Sequence, residues 1–216
     1  MSTNAVYFGE RQIDIILIGG SAGVLDVLRV ILPGLSSALN VPVVIVVHVP
    51  ERSPALLPQV LQRSSALPMK FAEDKEPLAG GTIYFAPAGY HLLLESSRSF
   101  ALSVDPPVLF SRPSIDVLFE SAADAYSTRV AALLLTGASA DGAQGLKSIH
   151  AAGGTTVVQL PQTAEAATMP AAALALFTPD FVLSPVDIAA WSRSLSPQPQ
   201  DPAEGAAAWG ASRAPY

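Results

Sequence analysis

Ile13-Asp14-Ile15-Ile16-Leu17-Ile18-Gly19-Gly20-Ser21-Ala22-Gly23-Val24-Leu25-Asp26-Val27-Leu28-Arg29-Val30-Ile31-Leu32 runs from a β-branched apolar segment, through a serine set among glycines, into a longer apolar segment. It reads as a buried strand turning into a helix that starts at about Ala22, with Ser21 at the corner. Glycines on both sides allow a tight turn and lift the hydroxyl off the strand end, which is how a nucleophile is presented. The unpaired N–H groups and positive end of the helix would then lie beside that hydroxyl, ready for a developing oxyanion. The same geometry also binds phosphate, so both readings stand at this point.

Further runs of strand length recur at Val43 to Val47, Val130 to Leu135 and Thr155 to Gln159, each followed by helical spacing or a helix-start signal. Alternation of this kind implies right-handed βαβ units and a mostly parallel sheet with helices on each side. Met69 to Val104 differs. Thr82-Ile83-Tyr84-Phe85-Ala86, a Pro-Ala-Gly turn and His91-Leu92-Leu93-Leu94-Glu95 look like a hairpin, so an antiparallel insertion or sheet edge is expected there. Residues 1–195 read as one domain. From 196 to 216 the chain is rich in Pro, Ala and Gly with little apolar periodicity and reads as a disordered tail.

Composition narrows the function classes. The 216 residues are 50% hydrophobic and 14% charged, enough for a sizeable core in one domain. The longest apolar runs fall far short of a bilayer span and the start has no signal-peptide pattern, so a cytoplasmic protein without membrane insertion is expected. With no cysteine, disulfides, a thiol nucleophile and thiolate metal sites are excluded. A net charge of −6 with scattered Lys and Arg argues against a nucleic-acid groove.

In a parallel α/β sheet, ligands bind beyond the carboxyl ends of the strands. Ser21 follows the first strand, His48 follows Val43 to Val47, and Asp141 follows Val130 to Leu135 through the loop 136–140. Together they supply the nucleophile, base and orienter of a hydrolytic triad. Each has a plainer reading: Ser21 as a helix-start or phosphate-loop residue, His48 as a loop histidine, Asp141 as an Asp-Gly turn or helix cap. His91 reads as a hairpin residue, and His150 as one suited to a helix C-terminus. A dinucleotide fingerprint fails on glycine spacing, a P-loop lacks its Gly-Lys-Ser/Thr, and the three separated histidines offer no metal-binding pair, so neither cofactor nor metal is expected.

With these residues in hand, the chain resembles the catalytic domain of the CheB family, the chemotaxis protein-glutamate methylesterases and glutamine deamidases. The resemblance runs from about Ile13 to Leu195 in six ordered blocks. They are Ile18 to Gly23, Val46 to Pro50, Ile83 to Leu92, Ser111 to Phe119, Leu135-Thr136-Gly137 with Asp141 to Gly145, and Met169-Pro170. It implies a three-layer, doubly wound, Rossmann-like α/β domain and a triad of Ser21, His48 and Asp141. It also implies removal of methyl esters from glutamates on the cytoplasmic helices of chemoreceptors, with deamidation of receptor glutamines by the same route. Full family members carry an N-terminal receiver domain; here the first strand begins at about Ile13, which leaves no room for one, so regulation is expected from a partner, expression level or the tail.

The departures fall around the oxyanion site, whose donors are expected to be the Ala22 and Ala138 amides. Val24 stands where the family has a second glycine, and Ala138-Ser139-Ala140 replaces Met-Gly-x. A side chain at Val24 or Ser139 is expected to restrict backbone φ or crowd the acyl pocket, which would affect rate and substrate choice more than reaction class. Arg112 is a candidate for substrate binding, set against a plain surface arginine ahead of Pro113 with Ser114 capping the next helix. Met169-Pro170 is expected to shape the cleft as a helix start. The rival readings are a partner-binding module that has lost activity and an esterase acting on another signalling protein.

Overall fold

The computed structural model describes residues 5–48 and 56–195; the expected tail, 196–216, lies outside the described residues. Strand β3 (Ile15–Gly20) is the centre of a seven-stranded sheet whose neighbours all run parallel. Beside it on one side lie β4 (Val43–Val47), β6 (Ile83–Phe85) and β5 (Met69–Phe71); on the other lie β9 (Val130–Leu134), β10 (Thr155–Gln159) and β11 (Phe181–Leu183). The chain leaves β3 toward β4 and later returns to start β9 on the other side. The winding direction therefore reverses at β3, and crevices open at such a reversal, beyond the carboxyl ends of the strands.

β3 and β4 are buried on both faces, which their uninterrupted apolar runs require. Ile16 and Ile18 enter one core with α1 (Val24–Ile31), α2 (Leu57–Leu61) and α6 (Pro185–Arg193). Ile15 and Leu17 enter the other with α3 (Ile115–Tyr126), α4 (Ala143–Ala151) and α5 (Thr168–Leu176). The result is the expected three-layer, doubly wound architecture. α1 buries Val24, Val27, Leu28 and Ile31, one stripe at helical spacing.

Two expectations change. Ile83–Phe85 is not an arm of a hairpin but a parallel strand of the main sheet, between β4 and β5. All three of its residues are buried, and a strand covered on both faces is selected for an interior position that local turn signals do not reveal. The antiparallel element is instead β7 (His91–Leu94) with β8 (Phe100–Ser103); a second hairpin joins β1 (Val6–Phe8) to β2 (Arg11–Ile13). Finally, α1 begins at Val24 rather than Ala22, because Gly23 adopts a left-handed conformation (φ 78°) that no helix continues through.

Candidate active site

The carboxyl ends of β9, β3 and β4 are adjacent, so the loops after them bring Asp141, Ser21 and His48 to one edge. The Ser21 amide donates to the Thr136 carbonyl (2.9 Å) and the His48 amide to the Gly20 carbonyl (3.2 Å), so each corner is pinned to the neighbouring strand end. His48 Nε2 lies 2.7 Å from Asp141 Oδ2. Ser21 and His48 line one recess of about 350 Å³, with Gly23, Val24, Asp26 and Arg29 on its α1 side. A larger open depression of about 710 Å³, lined by Arg63 and Arg193, lies among segments that precede strands or end helices. That places it at the amino edge of the sheet, away from Ser21 and His48.

Asp141 is fully buried and accepts four hydrogen bonds, two on each oxygen. Besides His48 Nε2, Oδ2 accepts the Ile115 amide (2.7 Å); Oδ1 accepts the Ser114 hydroxyl (2.7 Å) and the Asp116 amide (3.1 Å). Burial alone would push its pKa up. The donors from His48, Ser114 and the first amides of α3 outweigh that and hold the carboxylate below its ordinary value. An ionised carboxylate only accepts, so the proton between the two residues belongs to Nε2. The Nδ1 lone pair is thereby left as the basic site. The Ser111 hydroxyl stands 3.4 Å from it; the Ser21 hydroxyl has no hydrogen-bond partner among the described residues.

The loops supporting these groups are cross-tied. Thr136 Oγ1 donates to the Ala22 carbonyl (2.9 Å) and accepts the Ala166 amide (3.0 Å), while the buried Gln159 receives the Thr136 amide (2.9 Å) and donates to the Thr163 carbonyl (3.0 Å). Met169 opens α5 with Pro170, its amide on the Gly137 carbonyl (2.9 Å). The Ala22 and Ala138 amides have no acceptor among the described residues, and both residues are exposed.

The departures at Val24 and Ser139 are accommodated locally. Val24 is 1% exposed, and its methyl groups fill the space that a Cβ on Gly20 would need. None of Ala138, Ser139 and Ala140 has a positive φ, and Ser139 Oγ accepts the Asp141 amide (3.2 Å), steadying the loop that presents the carboxylate. Arg112 braces its own loop, with Nη1 donating to the carbonyls of Val104 (2.9 Å) and Asp105 (3.1 Å). His91 is buried: its Nδ1 accepts the Ser114 amide (3.2 Å) and its Nε2 donates to the Pro106 carbonyl (3.1 Å). His150 ends α4 against the Phe177 ring, as a helix-end residue. Sequence reasoning placed Ser114 as a cap of α3 but missed its bond to Asp141, and it missed Ser111 altogether. The only signal for either was their place in the block Ser111 to Phe119.

Residues 16–191 match the CheB methylesterase family. The chain belongs to that family. A provisionally named protein-glutamate methylesterase/protein-glutamine glutaminase of Leptospira interrogans is 46% identical over 169 residues, covering 78% of this chain and 88% of that one. The protein-glutamate methylesterase/protein-glutamine glutaminase 1 of Rhodospirillum rubrum is 36% identical over 187 residues, 84% of this chain but 48% of its own length. The crystal structure of the Thermotoga maritima CheB methylesterase catalytic domain superposes with a TM-score of 0.79 at 30% identity, covering 82% of this chain and 96% of that one. The doubly wound CheB-type domain expected from the sequence therefore holds.

Proposed function

We propose that this CheB-family domain is a serine esterase that removes methyl esters from glutamate side chains on the cytoplasmic helices of a chemoreceptor, acting in the cytoplasm. The observation that carries the proposal is the Asp141–His48 pair. A buried, ionised carboxylate claims Nε2 and leaves the lone pair on Nδ1, on a histidine that lines the same recess as Ser21. In this reading Nδ1 takes the Ser21 proton as Oγ bonds to the ester carbonyl carbon, and the oxyanion is received by the Ala22 and Ala138 amides. Asp141 stabilises the imidazolium that results. The C–O bond to methoxide then breaks as Nδ1–H protonates it, releasing methanol and leaving a glutamyl ester on Ser21. Water repeats the sequence to free the glutamate carboxylate. A glutamine side chain follows the same route with ammonia as leaving group, and protonation there is obligatory.

Arg112 acts in this scheme as a positioning residue for the substrate, through the loop it braces beside His48. No helix among the described residues is long and apolar enough to cross a membrane, which fits approach to the receptor from outside the bilayer. Ser21→Ala tests the proposal. The variant should fold normally and release no methanol from a methylated receptor fragment, and retained release would overturn the assignment.

A further inference from the structure

Residues 108–111 form a two-residue turn in which Val108 and Ser111 exchange both backbone hydrogen bonds (3.1 and 2.8 Å). Its tip residues, Leu109 (φ 47°) and Phe110 (φ 64°), are both left-handed. Turns with positive φ at both central positions are normally served by Asn-Gly or Gly-Gly, because a side chain there strains the backbone. Burial does not offset that strain here, since Phe110 is 102% exposed and Leu109 51%. Strain and apolar exposure therefore coincide at the same two residues.

The turn is also held in place. Arg112 grips the carbonyls of Val104 and Asp105, His91 grips that of Pro106, and the Gly89 amide donates to the Arg112 carbonyl (3.3 Å). What this brace presents is one residue away from the reaction: Ser111, next to Phe110, has its hydroxyl 3.4 Å from His48 Nδ1. Val104 on the same loop and Tyr90 on the turn joined to it are exposed too, so this rim of the site is mainly apolar, with the exposed Asp105 among these side chains. The rim on α1 is charged, carrying the exposed Asp26–Arg29 ion pair (2.6 Å).

We propose that the Leu109–Phe110 tip is a substrate-docking element that takes an apolar side chain of the helix bearing the methylated glutamate. An amphipathic helix lying across the mouth would meet the apolar rim with its apolar residues and the α1 rim with its charged ones. The strained tip thus distinguishes an ester on a helix from a free ester. This rests on the methylesterase reading above.

The test is the double variant Leu109→Asn with Phe110→Gly, which removes the apolar tip while supplying the residues such a turn prefers, so the fold is retained. It should hydrolyse p-nitrophenyl acetate and take a fluorophosphonate label at wild-type rates. Its kcat/KM for methanol release from a methyl-labelled chemoreceptor cytoplasmic fragment should fall about 10- to 100-fold, the loss of one buried aromatic contact, mostly through KM. Unchanged receptor kinetics overturn the proposal, as does an equal loss on both substrates. So does self-association of the wild type that vanishes in the variant while receptor kinetics stay the same, which would assign the tip to a second copy. Failure of the methylesterase reading is seen separately, on the wild type, as labelling without methanol release, and that outcome overturns the docking role as well.

Discussion

Asp116 and Asp141 exchange helix caps. The Asp141 carboxylate, just ahead of α4, accepts the amides of Ile115 and Asp116 that open α3, and the Asp116 carboxylate accepts the Gly145 amide in the first turn of α4 (2.8 Å). Each helix N-terminus is satisfied by a carboxylate from the other, so the orientation of the residue that holds His48 is tied to the packing of two helices.

Asp141→Asn should cripple the site without unfolding it. An amide must turn its NH2 toward two of the four donors, so either His48 and the Ile115 amide or the Ser114 hydroxyl and the Asp116 amide lose their acceptor. A fall in kcat of about 10³- to 10⁴-fold is expected, with a stability loss of about 1–3 kcal/mol. Fluorophosphonate labelling at the wild-type rate would show that Asp141 does not orient the base.

Asp116 gives stability an unusual pH dependence. Burial, followed by the charges of Asp141 and Glu120, raises its pKa from the ordinary 3.8 to about 6, against the lowering effect of the Gly145 and Gly142 amides. The folded state therefore holds this proton more tightly than the unfolded state. The stabilisation is complete below about pH 4 and is lost as pH rises through about 6, amounting to about 3 kcal/mol in full. Asp141 and Asp180 work in the opposite sense. Hydrogen bonds hold both below their ordinary values despite burial, so their stabilisation is present above about pH 4 and fades as acid protonates them. Urea midpoints should decline between pH 4 and 7 in the wild type and lose that slope in Asp116→Asn; the same slope in both proteins would contradict the assignment.

Gly145→Ala should damage stability and activity together. A Cβ there would lie 2.6 Å from Phe119 Cβ and 2.9 Å from the Asp116 carbonyl oxygen, so α3 and α4 must separate. Overpacking of this kind costs about 1–3 kcal/mol. The separation also strains the cap exchange that aims Asp141. Calorimetry alongside ester turnover checks this, and a stable variant with full activity would refute it.

Thr136→Val probes the turn behind Ser21. The substitution keeps the shape but removes the donor to the Ala22 carbonyl and the acceptor for the Ala166 amide. Turnover should fall about 10-fold, with the loss in kcat rather than KM, because in the proposed mechanism the turn presents both the nucleophile and an oxyanion donor. A variant that raises only KM would assign Thr136 to substrate binding.

Much of the fold was legible because its signals are local. The apolar runs that became β3, β4, β9 and β10 need burial on both faces, which only a covered parallel sheet provides. Ser21, His48 and Asp141 were readable as residues at strand ends. Ile83–Phe85 was misread because a strand-like run before Pro-Ala-Gly looks the same whether its partner is the next segment or one 40 residues back; only burial of all three residues separates the cases. Val24 and Ser139 were expected to interfere with the site. The structure shows where each side chain goes: Val24 packs over Gly20 and Ser139 accepts the Asp141 amide, contacts whose geometry residue identity alone does not give.

By itself, the sequence determined the layered α/β plan, the corner at Ser21 and the residue types that can carry the chemistry, because strand burial, helix periodicity and turn conformation are set by residues close along the chain. The tertiary structure alone decided that Asp141 claims Nε2 and leaves the lone pair on Nδ1, that Asp116 and Asp141 cap each other's helices, and that Ser111 stands beside His48. These follow from contacts between segments far apart in sequence, whose geometry is fixed only when both cores pack against the sheet.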